Sequence, residues 1–247
     1  MLYRIPWSNK DKTLRISAAQ LNLVKKLKEK KMMNTVFEKI NKLGVMTILE
    51  IDNIDVIDGV GEALVKGGIT VAEVVFRTHN AEHAVNLLGK KFPEMIVGAG
   101  TIINVEQAAQ AVGAGAKFLV APGFSESVVR WAASKSVPII PGVSTSSEIT
   151  GCIDLGLEVI KFFPVEAMGG VKILKALAGP FKNVRFVPTG GISEKNLADC
   201  SRLPCVFACG GSWIANKALI KARNFEEITR RAETALKIVR ETRKIVV

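Results

Sequence analysis

The chain has 247 residues, 48% of them hydrophobic, and a formal net charge of +11. That is enough to bury one large core or two small ones, and no run reaches the roughly 18 unbroken apolar residues of a membrane span. Four cysteines without a CxxC pair argue against a disulfide framework or a zinc site, and point to reduced, mostly core thiols in a cytoplasmic protein.

The charge lies at the ends. Residues 1–33 hold 9 Lys/Arg against 2 Asp/Glu, and residues 215–247 hold 9 against 4, which leaves 16 basic and 17 acidic residues for 34–214. The body is near neutral, and no aromatic–basic platform accompanies the ends, so neither a nucleic acid nor a membrane is expected as a partner.

Residues 1–32 form a basic extension. Ile16, Ala19, Leu23, Val24 and Leu27 share one helical face, with lysines opposite. Met33 reads as an ordinary start methionine, so the segment before it is a leader, a natural extension or an engineered fusion. We expect one long helix entering the domain, with a partner-binding or assembly role for its apolar stripe.

From residue 33 to 247 the pattern alternates regularly. Val36, Phe37, Ile40 and Leu43 make a short helical stripe, ended by Gly44. Strands are expected at Val45–Ile51, Thr70–Phe76, Met95–Gly98, Lys117–Ala121, Val137–Ile140, Val159–Phe163, Arg185–Pro188 and Cys205–Cys209. Helices follow at about 55–66, 81–91, 105–114, 125–136, 145–155 and 171–177. A short helix capped by Ser193 precedes the last strand, and a final helix carries Ile228, Ala232, Ala235, Ile238 and Val239. Strands that are apolar nearly throughout are those buried on both faces, as in parallel sheets. Eight such strands, each followed by a helix, predict an α/β fold of the (β/α)8 TIM barrel class. A doubly wound open sheet is the alternative.

In such a barrel the site lies at the C-terminal strand ends. Lys161 sits there, between isoleucine and two phenylalanines. Burial favours the neutral amine, which attacks carbonyls, although a strand-end lysine can also simply reach solvent. Glu73 interrupts another apolar strand. It pairs structurally with Arg77 or Lys161, or it transfers protons in imine chemistry. Arg77, four residues on, could hold a substrate carboxylate bidentately. Thr189-Gly190-Gly191 and Gly210-Gly211-Ser212 are the turns after strands seven and eight, where barrels hold phosphate on backbone N–H groups; otherwise these glycines serve only the turns. His79 and His83 stand four apart without an evident third ligand, so no metal site is expected. Trp131 and Trp213 read as packing residues.

Several runs, in order, resemble those of the 2-keto-3-deoxy-6-phosphogluconate aldolases, many of which also act on 4-hydroxy-2-oxoglutarate. They are Val97-Gly-Ala-Gly-Thr101, Pro141-Gly-Val-Ser-Thr145, Lys161-Phe-Phe-Pro164, Gly169-Gly-Val-Lys172, Ala178-Gly-Pro-Phe181, Pro188-Thr-Gly-Gly-Ile192 and Gly210-Gly-Ser-Trp213. The resemblance spans about residues 34–240. It implies a class I aldolase and a homotrimer, with cleavage to pyruvate and glyceraldehyde 3-phosphate. Lys161 would be the Schiff-base lysine and Glu73 the acid/base group. Arg77 and Thr101 would bind carboxylate, Pro122 and Phe163 would line the pocket, and Gly190, Gly191 and Ser212 would bind phosphate. The protonated imine is itself the electron sink, so no cofactor is implied.

Two features depart from the family's pattern. Glu50 ends the first strand, where the family often has an apolar or basic residue, and an added carboxylate there would weaken binding of an anionic substrate. The extension allows a different role, a trimeric barrel serving as an assembly scaffold through residues 1–32. A phosphate-binding synthase barrel of another family would share the two glycine turns but leaves Lys161 beside Phe163 unexplained.

Overall fold

The computed structural model describes residues 35–243. The expectations placed on residues 1–32, both the amphipathic helix and its assembly role, lie outside the described residues.

Residues 35–43 are helical (α1). Val36 and Ile40 are the buried face. Gly44 closes the turn at φ +69°, donating its N–H to the Ile40 carbonyl at 2.9 Å. A side chain there would also sit 2.6 Å from Val239 Cγ1, so glycine is required on both counts,. Strands and helices then alternate: β1 (Val45–Leu49), α2 (Ile57–Lys66), β2 (Val71–Val75), α3 (Ala81–Lys91), β3 (Ile96–Gly100), α4 (Val105–Gly113), β4 (Leu119–Val120) and α5 (Glu126–Ser134). They continue with β5 (Ile139–Ile140), β6 (Gly142–Val143), α6 (Ser146–Asp154), β7 (Val159–Phe162), α7 (Val171–Ala178), β8 (Arg185–Pro188), α8 (Leu197–Ser201), β9 (Cys209–Gly211), α9 (Lys217–Lys221) and α10 (Phe225–Arg243).

The fold is α/β with every strand pair parallel. One sheet runs β5-β4-β3-β2-β1-β9 and a second β6-β7-β8. Several strand ends shift by one or two residues from expectation, and two strands differ more. The fifth strand divides into β5 and β6 at Pro141, which has no N–H to give the ladder. Its carbonyl still accepts from Lys161 N–H at 2.8 Å. The last strand, expected over Cys205–Cys209, is an isolated bridge at Val206 followed by β9. The register decides this, because β1 offers Val45, Met46 and Thr47 to Cys209, Gly210 and Gly211.

The strands separate two apolar layers. Residues such as Leu49, Ala72, Val74, Ile160 and Phe162 face the helices. Met46, Val71, Phe118, Val120, Ile140 and Val187 form an inner cluster, closed on one side by Val36 and Ile40 of α1. Burial on both faces is why these strands read as continuous apolar runs.

Candidate active site

Alternation along two strands places the central charges. On β2, Ala72 and Val74 face the helices, so Glu73 points to the interior with Val71. On β7, Ile160 and Phe162 face the helices, so Lys161 points inward too. The two strands belong to different sheets, yet Lys161 Nζ lies 3.5 Å from Glu73 Oε1. Glu73 is 0% exposed and Lys161 5%. Of the partners open to Glu73 from sequence, it meets Lys161. The ammonium also stands 5.3 Å from the centroid of the Phe163 ring, within the range of a cation–π contact,.

This pair is poorly built for stability alone. Glu73 Oε2 is enclosed and has no hydrogen-bond partner among the described residues. A buried ion pair rarely outweighs its desolvation cost, less so with an oxygen unsatisfied, and such groups cluster at functional sites. Room for the carboxylate comes from Gly100 on the neighbouring strand, where an added Cβ would lie 2.0 Å from Glu73 Oε1. Gly100→Ala is therefore expected to displace the carboxylate and lower turnover about 10²-fold, the effect of a misplacement near 1 Å. Steady-state kinetics on a variant with unchanged circular dichroism checks it.

The pair opens on a cavity of about 120 Å³ whose lining includes Glu73, Arg77, Lys161, Phe163, Thr189, Gly190, Gly191, Gly210 and Ser212. Ile48, Val75 and Ile192 complete it. Ile48 sits opposite Glu73 in the β1–β2 register. These three are ordinary apolar positions in the sequence, and only their inward register marks them.

At the rim, Arg77 lies beyond the end of β2 and turns away from Glu73. Its Nε donates to Thr101 Oγ1 at 3.1 Å, and its Nη1 stands 4.0 Å from Glu50 Oε2. Thr101 adopts φ +60°, a strained conformation for a β-branched residue,. Glu50 is held more firmly by Lys217, whose Nζ lies 2.9 Å from Glu50 Oε1 and 2.8 Å from Asp52 Oδ2. Hydrogen bonds to Asp52 and then to Glu50 keep that ammonium charged well above the ordinary lysine range.

The glycine turns face the cavity from the other side. Gly190 and Gly191 adopt φ +89° and +86°. A side chain at Gly191 would strike Glu166 Cβ at 2.5 Å, and one at Gly210 would strike Thr189 Oγ1 at 2.6 Å. The backbone N–H groups of Gly191 and Ser212 donate to no acceptor among the described residues. Thr189 is buried, with its hydroxyl donating to the Val187 carbonyl at 3.3 Å. Gly211 and Pro122 are not among the lining residues: Gly211 approaches the Trp213 indole and the Pro122 carbonyl packs on Gly142. His79 and His83 are exposed, and no group of three or more His, Cys, Asp or Glu side chains suited to a metal occurs among the described residues.

A buried lysine beside a buried carboxylate, an arginine at the rim and two N–H-bearing turns can form an imine, move protons and hold two anionic groups. Known proteins share the arrangement's sequence. The family model for KDPG and KHG aldolases matches residues 36–231. A 2-dehydro-3-deoxy-phosphogluconate aldolase of Treponema pallidum is 41% identical over 207 residues, 84% of this chain and 99% of that one. A KHG/KDPG aldolase of Escherichia coli K12 is 46% identical over 175 residues, 71% of this chain and 82% of that one. Among solved structures, a KDPG aldolase of Legionella pneumophila, with pyruvate captured as a covalent carbinolamine intermediate, is 38% identical. It covers 78% of this chain and 93% of its own, with a TM-score of 0.76. With its family model matched across most of the chain and its buried lysine and glutamate in contact, this chain belongs to the KDPG and KHG aldolase family.

Proposed function

We propose that this chain is a class I aldolase that cleaves 2-keto-3-deoxy-6-phosphogluconate to pyruvate and glyceraldehyde 3-phosphate. Cleavage of 4-hydroxy-2-oxoglutarate to pyruvate and glyoxylate is its second reaction. The observation that carries this reading is the 3.5 Å contact between Lys161 Nζ and the enclosed Glu73 carboxylate, at the floor of a cavity with anion-binding groups on two sides.

The neutral Lys161 amine adds to the C2 carbonyl and forms a carbinolamine. Glu73 delivers the proton with which water leaves, and a protonated imine results. Glu73 then accepts the C4 hydroxyl proton as the C3–C4 bond breaks. The bond's electron pair moves into the iminium to give an enamine, and the C4 aldehyde departs. Protonation of C3 and addition of water release pyruvate and return the amine. Arg77, with Thr101 behind it, binds the C1 carboxylate. Phe163 packs on the carbon chain, and the N–H groups at Gly190, Gly191 and Ser212 bind the phosphate. Thr189 and Gly210 shape that turn, Gly211 packs behind it on Trp213, and Pro122 packs on Gly142 outside the lining. Incubation with pyruvate, reduction by borohydride and peptide mass spectrometry tests the reading: an adduct on Lys161 is expected, and its absence would overturn it.

The finer architecture is also proposed. Parallel bridges Phe186–Val206 and Thr189–Gly210, with the Lys161 N–H to Pro141 carbonyl bond, support reading the two sheets as one closed (β/α)8 barrel. A homotrimer follows from the family resemblance and a cytoplasmic setting from the reduced thiols; Ile103, Ile153 and Met168 are the large apolar side chains exposed among the described residues. Mass photometry of the purified chain reads the trimer directly.

Glu50 competes with substrate for Arg77. Glu50→Gln is expected to lower KM for the anionic keto acid about two- to fivefold, the worth of an exposed ion pair, with kcat little changed. The gain should shrink as salt is added. Initial rates at two ionic strengths check it.

A further inference from the structure

β8 ends beside the catalytic cavity but begins at Arg185, at the opposite end of the strand. A second cavity lies there, of about 360 Å³, whose lining includes Asn41, Arg185, Ser201, Arg202, Thr242 and Arg243 and no carboxylate. Arg243 reaches into it from the end of α10. Its guanidinium donates to Ser201 Oγ and to the carbonyls of Asn41, Phe207 and Val206, at 3.1 to 3.2 Å. Arg185 Nη2 donates to Asn41 Oδ1, and its guanidinium carbon stands 4.6 Å from the centroid of the Phe207 ring. Arg185 Nε is enclosed and has no partner among the described residues.

Every partner of these two guanidiniums is thus neutral. Neither forms an ion pair among the described residues. Glu38 and Glu158 line the adjoining cavity with Arg185, yet neither comes within ion-pair distance of it. Arg202 is exposed, and its one ion pair among the described residues is with Asp199, at 3.6 Å. Burial pulls the Arg243 guanidinium below the usual arginine range, and the charge of Arg185 acts in the same direction. Arginine cannot relieve such crowding by losing its proton near neutral pH, so an anion is what remains to do it. Guanidinium forks match phosphate oxygens, and the Ser201 hydroxyl, which accepts from Arg243 Nε, keeps its own proton as a further donor,.

We propose that this cavity binds a phosphate group, from inorganic phosphate or a small phosphomonoester, at a site separate from the catalytic mouth. Its lining comes from α1, β8, α8 and α10, so the bound anion ties four elements together and stabilises the folded chain by mass action.

The test is calorimetric titration with inorganic phosphate at constant ionic strength. The Ser212→Glu protein is used, because its added carboxylate repels phosphate from the glycine turns and leaves the second site to be read alone. One phosphate per chain is expected. Arg202→Ala, an exposed substitution that leaves aldolase activity unchanged, should weaken it at least fivefold, and Arg185→Gln should abolish it. A parallel titration with glycerol 3-phosphate separates the sources, since the tighter of the two is the one the site is built for. Three results would overturn the proposal: no saturable heat in the Ser212→Glu protein, heat unaltered by both arginine substitutions, or heat that appears only once residues 244–247 are removed. The last would assign the cavity to the chain's own C-terminal carboxylate.

Discussion

Lys161→Met is expected to lower kcat/KM for cleavage by at least about 10⁴-fold, or roughly 5.5 kcal/mol, and to abolish borohydride trapping of pyruvate. Methionine nearly matches lysine in length, so the pocket keeps its shape and loses its nucleophile. The substitution also leaves Glu73 in a fully enclosed position without its cation. Removing one member of a buried pair typically costs 3–5 kcal/mol, so this single variant should unfold at a lower temperature. Adding Glu73→Gln removes the orphaned charge. The double variant should recover most of the stability and none of the activity. That divergence separates the chemical role of Lys161 from a merely structural one: a salt bridge kept for folding would give loss and recovery together. Calorimetric unfolding and coupled-assay kinetics on the same preparations measure both.

The reach of sequence reasoning follows the physics of each feature. Lys161 and Glu73 were legible because each breaks an apolar strand at a position whose neighbours face the helices. The glycine turns were legible because they fall directly after strands. The grip on Glu50 was not, since Lys217 lies 167 residues away and only the packing of α9 brings it to 2.9 Å. The role of Gly100 was hidden for a related reason. Its space matters only because the neighbouring strand aims a carboxylate into it, and residue type alone does not give that register. Pro141 was visible as a strand end, but the continued pairing beyond it depends on what β7 offers. Nothing in the sequence marks Arg185 and Arg243, because having no acidic partner among the described residues is a property of the folded chain.

Glu73→Gln should leave a folded enzyme that forms the imine and scarcely turns over. Glutamine keeps the size and hydrogen-bonding capacity of the side chain, and Gly100 still leaves room for it, but an amide cannot accept the C4 hydroxyl proton. General acid–base groups contribute about 10²–10⁴-fold, so kcat should fall by that factor, about 3–5.5 kcal/mol. The pyruvate adduct on Lys161 should still appear after borohydride, formed more slowly, because water can deliver the proton for carbinolamine dehydration where no carbon–carbon bond must break. Single-turnover mass spectrometry follows both steps. If trapping disappears together with turnover, Glu73 serves to position the Lys161 amine. If turnover survives within tenfold of the unaltered enzyme, the proton leaves by another route, such as water admitted past the Arg77 and Glu50 rim. Full loss of cleavage with retained trapping is the outcome the geometry supports. At 3.5 Å the carboxylate is close enough to exchange protons with the amine.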